Sequence, residues 1–157
     1  MKKPVSLLVL ITLVAAGGPS RRSTSADVDR ADLCELVESP VKYNGSRVTV
    51  RAVYNYGYEW QELVCTECRA NGRTWFAFNP DAKDRIRKQL KKAPRHQGII
   101  SGRFTGVFHG TGGPYGDGTF RFEFEVEEVS DIHVLVRDWK TPLDQVGSCK
   151  SMAPLGR

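Results

Sequence analysis

What is scarce in this sequence narrows it first. There is no apolar run of the roughly 20 residues that a bilayer-crossing helix needs. The longest, Val5 to Ala16, counts 12, so no stable membrane span is expected. There is no G-x-S-x-G, no H-E-x-x-H and no Walker-type loop, the usual marks of serine hydrolases, zinc proteases and P-loop enzymes. The three histidines, His96, His109 and His133, follow no metal-ligand spacing. No catalytic residue, metal site or cofactor is therefore expected, and no enzymatic activity. No internal repeat or low-complexity block is visible, which speaks against a repeat architecture. A strong excess of positive charge is also missing. The net charge is +5, and removal of Lys2 and Lys3 would bring it to 5 − 2 = +3. That falls short of a dedicated nucleic-acid binder, so nucleic acid is not an expected partner.

What is present begins with an export signal. Lys2 and Lys3 form a positive start, Val5 to Ala16 (VSLLVLITLVAA) an uncharged apolar stretch, and Ala15, Ala16, Gly17 and Gly18 a small-residue exit. These are the three zones of a cleavable secretory signal, with cleavage expected after Ala16. No cysteine lies near that site, so lipid attachment there is not supported. The expected location is the periplasm or the extracellular space. Residues 17–29 (GGPSRRSTSADVD) are small and polar and read as a flexible tether. About 140 residues remain after the signal, enough for one domain. The expected layout is a signal peptide at 1–16, a tether at 17–29, a domain at 30–137 and an irregular tail at 138–157.

An even set of four cysteines, Cys34, Cys65, Cys68 and Cys149, in an exported chain argues for disulfides before metals. Cys65 and Cys68 form a C-x-x-C (CTEC). It reads first as a tight structural disulfide, with a redox pair or half of a metal site as the alternatives. A redox C-x-x-C draws its low thiol pKa from a helix N-terminus, whereas this one follows a strand-like run and precedes a turn-like Arg69-Ala70-Asn71-Gly72. The expected pairing is Cys65 with Cys68 and Cys34 with Cys149. A bond from Cys34 to either member of the C-x-x-C is the rival.

The hydrophobic period then sets the element order. Arg30 to Glu38 carries Leu33, Leu36 and Val37 at helical spacing, with Asp29 as N-cap and Pro40 as the stop. Arg47 to Tyr54 alternates, with Val48, Val50 and Ala52 on one face. Leu63 to Cys65 and Thr74 to Phe78 read as the next two strands. Asp81 to Lys92 is a helix with a thin stripe of Ala82, Ile86 and Leu90. Gly98 to Phe108 is a fourth strand, bent where Gly102 and Gly106 fall. After the glycine-rich loop Gly110 to Gly118, Phe120, Phe122, Phe124 and Val126 alternate with charged residues along Thr119 to Val129. Ile132 to Val136 extends this strand or forms a sixth piece.

A short helix, three strands, a second helix and two strands is the order of an OB-fold. The expected fold is therefore mainly β, a five-stranded OB-fold-like Greek-key barrel with a short N-terminal helix and a helix between strands 3 and 4. The segment LCELVESPVKYNGSRVTVRAVYNYGYEW, with GRFTGVF and TFRFEFEVEEV, resembles small secreted bacterial OB-fold proteins of unknown function. Their shared look is a short helix, a P-x-K-Y-N/D-G turn and a V-x-V-x-A/G strand. The likeness covers roughly Ala31 to Val136, and it extends to the tRNA-anticodon-binding-like OB group at fold level only. It implies the barrel and leaves the ligand open.

OB-folds bind on strands 2 and 3 and in the loops joining strands 1 to 2 and 4 to 5. The first loop holds Tyr56, Tyr58 and Trp60 after Tyr54. The second holds His109, Tyr115 and Asp117 among glycines, and Trp75 lies on strand 3. Such rings stack on sugars or bases; barrel packing is the competing explanation for Tyr54, Trp60 and Trp75. The basic run Lys83 to Lys92 can meet an anionic surface, or be a solvated helix face. Asn44-Gly45-Ser46 matches a glycosylation sequon but reads as a turn. The expected function is an exported, non-enzymatic binding module using the aromatic and glycine-rich loops, its partner an envelope protein, a glycan or an anionic polymer. The alternatives are a thiol/disulfide or metal-binding protein centred on Cys65 and Cys68, and a structural partner in an envelope assembly.

Overall fold

The computed structural model describes residues 29–137 and 141–150. The expected signal peptide, residues 17–28 of the expected tether, and residues 138–140 and 151–157 of the tail lie outside the described residues. The strands are β1 (Asp29–Asp32), β2 (Arg47–Tyr56), β3 (Gln61–Val64), β4 (Thr74–Phe78), β5 (Gly98–His109) and β6 (Phe122–Val136). The α-helices are α1 (Leu33–Glu38), α2 (Pro40–Tyr43), α3 (Lys83–Gln89) and α4 (Leu143–Val146).

The chain is mainly β, and its six strands form one mixed sheet. β2 pairs antiparallel with β5 along its whole length and with β3 over residues 53–56. β3 pairs antiparallel with β4, β4 runs parallel to β6, and β6 returns antiparallel to β5. Followed from β2, these pairings come back to β2, so five strands bond as a ring. β1 lies parallel on β2 over residues 48–51, the part of that edge that the short β3 leaves unpaired. It thereby covers a sheet edge that would otherwise offer free backbone groups.

The ring encloses the core because side chains alternate along each strand. Phe76, Phe104, Phe108, Phe122, Phe124 and Val126 are fully buried, and each such side chain contributes roughly 1.5–3 kcal/mol by leaving water. Glu123, Glu125 and Glu127, between them on β6, stay half-buried on the outer face. Near its end β2 is buried on both faces. Val53 points outward, yet it packs with Val64, Ile99 and Val136, and Leu143 and Val146 of the tail cover this second cluster. β5 bends at register shifts against β6 beside Gly102 and Gly106. A Cβ at Gly106 would lie 2.1 Å from the Glu125 carbonyl oxygen, so the close approach of β6 requires glycine there.

Several expectations are corrected. The N-terminal helix starts at Leu33, not Arg30. Its N-cap is Asp32, whose carboxylate accepts from Cys34 N while Glu35 reaches back to the Asp32 N–H. The capping box frees Asp29–Asp32 to pair as β1, so the sheet has six strands where five were expected. Pro40 opens α2 at its first turn, where its missing N–H costs nothing. Of the two expectations for Ile132–Val136, extension of the preceding strand is the one found: β6 starts at Phe122 rather than Thr119 and runs to Val136, with Asp131 in left-handed backbone at φ 51° within it. The basic helix divides into 3₁₀ turns at Pro80–Ala82 and Leu90–Lys92 around α3, with Ala82 and Ile86 buried. The tail, expected to be irregular, contains α4. Among the described residues, no helix is long and apolar enough to cross a membrane.

Candidate functional site

The six expected ligand-binding residues fall into two groups. The first surrounds the β2–β3 turn. Gly57 N–H donates to Trp60 O at 2.9 Å, and the Trp60 indole lies over Gly57, where a Cβ would come 2.7 Å from Nε1. Tyr58 is 78% exposed and Trp60 38%. Tyr58 stacks on His96, with ring centroids 5.4 Å apart. Tyr56, Tyr58 and Trp60 line a cleft of about 490 Å³ together with Gly98, Ile99 and Leu143.

Tyr56 belongs mostly to the core. It stacks on Tyr54 at 4.6 Å and donates its hydroxyl to Pro94 O at 2.6 Å. Tyr54 donates to Gln61 Oε1 at 2.9 Å. Burial pushes the Tyr56 phenol up to about 12, against a smaller downward pull from Arg137. Burial, with Tyr56 adding to it, pushes Tyr54 well above the usual phenol value. These two rings hold the end of β2 against the segment that follows the basic helix.

The second group lies at the other end of β5. Trp75, Glu123 and His109 stand in one row across β4, β6 and β5. Trp75 meets Phe120 edge-on at 4.9 Å, and the Arg73 guanidinium covers the same Phe120 ring at 4.1 Å. Tyr115 bridges to Phe120 through its backbone N–H, at 2.9 Å, and gives its hydroxyl to Thr111 O. His109 Nε2 lies 3.6 Å from Glu125 Oε2. Burial raises the Glu123 pKa, His109 works against the rise, and Glu125 adds to it. Trp75 sits across from Glu62 of β3, two residues from Trp60, while His109 lies two strands further along the same row. The cleft beside the first group is lined by Tyr56, Tyr58 and Trp60 but not by Trp75, His109 or Tyr115.

Asn44, read from sequence as a turn, uses its Oδ1 to accept from Gly110 N and Thr111 N at 2.9 and 3.2 Å, which anchors the glycine-rich loop. Glu62 is 1% exposed and accepts from Arg69, Arg73 and Asn55 at 3.2, 3.0 and 3.1 Å. Its partners lie seven to eleven residues away, at no spacing a motif records. The basic stretch contributes Arg87, Lys91 and Arg95 to a cleft of about 320 Å³ beside Phe78 and Pro94.

The cysteines pair as Cys34–Cys68 and Cys65–Cys149, with Cα–Cα separations of 5.4 and 5.2 Å. The expected Cys65–Cys68 and Cys34–Cys149 pairing is therefore corrected. Cys65 keeps the extended backbone at the end of β3, and Cys68 lies on the 3₁₀ turn Thr66–Asn71 that follows. α1 packs against that turn. The tail returns to it, with Thr66 N–H donating to Gly147 O at 2.9 Å. Each cysteine of the C-x-x-C thus meets a different visitor. Glu67 secures the tail by accepting from Ser148 Oγ, Cys149 N and Lys150 N. Burial works to raise its pKa, but these hydrogen bonds prevail and hold it down to about 2. The two disulfides close loops of 34 and 84 residues, each worth about 4 kcal/mol in the chain-entropy picture.

No family model matches the chain, and no curated protein matches it. Among solved structures, the chain is similar to one described as an aspartyl-tRNA synthetase from Leishmania major Friedlin, at 11% identity and a TM-score of 0.39. The match covers 78% of this chain and 24% of that one, so this chain spans about a quarter of its length.

Proposed function

We propose that this chain is an exported binding module without catalytic activity, built on an OB-fold scaffold, with its ligand in the cleft beside Tyr58 and Trp60. The exposure of these two rings carries the reading. Core packing makes no use of the Tyr58 ring, which is 78% exposed, and apolar surface left in water beside a cleft is stabilised when a partner covers it. A ligand with flat faces, a sugar ring or an aromatic side chain of an envelope component, suits this stack.

The scaffold reading is supported by the strand pairing. The ring β2–β3–β4–β6–β5, with β4 parallel to β6 and α3 between β4 and β5, supports reading the scaffold as a five-stranded Greek-key OB barrel with β1 added to it. Tyr58 and Trp60 then occupy the loop between the first two barrel strands, a usual ligand position of that fold. Export is supported by the two disulfides, which persist outside reducing compartments, and by the leader-like start of the sequence.

The test is a screen of glycans and envelope proteins against the wild-type chain, repeated with Tyr58→Ala and Trp60→Ala. Losing one stacked ring is worth about 1–3 kcal/mol, so affinity falls by about 5- to 150-fold while the melting temperature is unchanged. Unaltered binding by both variants, or a collapse of stability in Tyr58→Ala, overturns the reading.

A further inference from the structure

We propose that the cleft beside the basic helix is a second binding site, for an amphiphilic anion: a phosphate or carboxylate head held by Arg87, Lys91 and Arg95, with an aliphatic body laid on Phe78, Leu90 and Pro94. Charge comes first. Between Lys83 and Arg95 the sequence has seven basic residues and one acidic residue, Asp84. The net charge of the whole chain is +5, so its entire positive excess resides in this stretch. Arg87, Lys91 and Arg95 line one cleft, and no acidic residue lines it. All three are exposed and make no ion pair among the described residues. Like charges gathered at one cleft repel one another and raise the local concentration of anions. The two guanidiniums suit an oxyanion head, because each can donate two parallel hydrogen bonds to it.

The rest of the cleft selects the body of the ligand. Phe78, Leu90, Ala93 and Pro94 are half-buried and give it an apolar floor. Tyr54 and Tyr56 complete the lining, but both hydroxyls are already engaged. Tyr54 donates to Gln61 Oε1 at 2.9 Å and Tyr56 to Pro94 O at 2.6 Å. No other polar side chain lines the cleft apart from the three cations. A sugar or a nucleobase needs polar partners along its edges, whereas an aliphatic chain needs none.

The volume of about 320 Å³ lies at the lower end of the usual range for ligand pockets, room for one short chain and its head. Neither Tyr58 nor Trp60 lines this cleft, so the site is independent of the ligand cleft proposed above.

The experiment titrates the full chain with octyl phosphate, butyl phosphate, inorganic phosphate and octyl glucoside, the detergents below their micelle concentrations. Octyl phosphate binds tightest, at one per chain, and shifts the backbone amide resonances of Leu90 and Ala93. It exceeds butyl phosphate at least about tenfold, because each methylene that leaves water contributes about fourfold. The triple variant Arg87→Gln, Lys91→Gln, Arg95→Gln binds it at least about tenfold more weakly, each exposed cation contributing about 2- to 5-fold. Octyl glucoside, which lacks the charge, is weaker by a similar factor. Equal affinity for octyl and inorganic phosphate marks a charged surface without an apolar subsite and overturns the proposal. Full affinity in the triple variant, or shifts centred on Tyr58 and Trp60, also overturns it. Vesicles of phosphatidylcholine with phosphatidylglycerol distinguish the source of the ligand. Vesicle binding that octyl phosphate displaces assigns a membrane lipid; octyl phosphate binding without vesicle binding assigns a free amphiphile. Vesicle binding by a chain that does not bind octyl phosphate overturns the proposal. None of the variants touches Tyr58 or Trp60, so the binding reading stands or falls separately.

Discussion

Glu62 and Arg73 pair at 3.0 Å, the carboxylate 2% exposed and the guanidinium 37%, so the ion pair is buried from one side only. Removing the two partners has unequal consequences. With Arg69→Ala and Arg73→Ala together, the carboxylate is stranded in the sheet, and stability falls by about 3–5 kcal/mol. With Glu62→Gln the guanidiniums turn to water, and the loss is about 1–2 kcal/mol. Urea denaturation of the variants checks the order, and a larger loss for Glu62→Gln refutes it.

Aromatic residues near the proposed ligand cleft divide by burial, and stability separates them. Tyr58→Ala changes the folding free energy by no more than about 0.5 kcal/mol. Phe76, 0% exposed and packed on Tyr54 at 4.3 Å, costs about 3–5 kcal/mol when cut to alanine. Thermal melts of the two variants side by side give the comparison.

Alkali should unfold the protein through Tyr54 and Tyr56. The folded-state pKa of Tyr56 is raised from 10.0 to about 12, and Tyr54 is raised as well. A raised folded pKa contributes stability that is complete below the unfolded value near 10.0 and is lost as pH climbs through about 12. Phenolate absorbance of these two rings will therefore rise together with the loss of circular dichroism, within that window. Ionisation of both rings in a chain that stays folded contradicts this.

Glu67 holds the tail beside its disulfide through three hydrogen bonds, from Ser148 Oγ, Cys149 N and Lys150 N. Glu67→Ala loosens the tail, and a dithiol then reduces Cys65–Cys149 at least about tenfold faster, the equivalent of one hydrogen bond to a charged group. The rate for Cys34–Cys68 stays within a factor of two or so, because α1 is packed independently. Peptide mapping after timed alkylation separates the two bonds; equal acceleration of both contradicts the assignment.

Much of the fold was legible because it follows from local rules. Phe122, Phe124 and Val126 turn inward while Glu123, Glu125 and Glu127 do not, since a strand alternates its faces every residue. Ala82 and Ile86 face the core and the basic residues face water for the corresponding helical reason. β1 was not legible: Asp29–Asp32 has Ala31 as its single apolar residue, and it pairs because β2 has an open edge at residues 48–51. Of the aromatic candidates, Tyr58 and Trp60 were legible as loop residues. That Tyr56 is largely core follows from its stack on Tyr54, and that Trp75, His109 and Tyr115 do not line the cleft follows from how β4, β6 and β5 pair.

By itself the amino-acid order determined the inward and outward faces of the strands and the glycine bends of β5, which depend on neighbours within a few residues. Only the tertiary structure decided that the strands bond as a ring, that Cys34 meets Cys68 and Cys65 meets Cys149, and that Glu62 is buried among two arginines. Those outcomes depend on which distant segments arrive side by side once the core has collapsed, and no short-range spacing encodes that meeting.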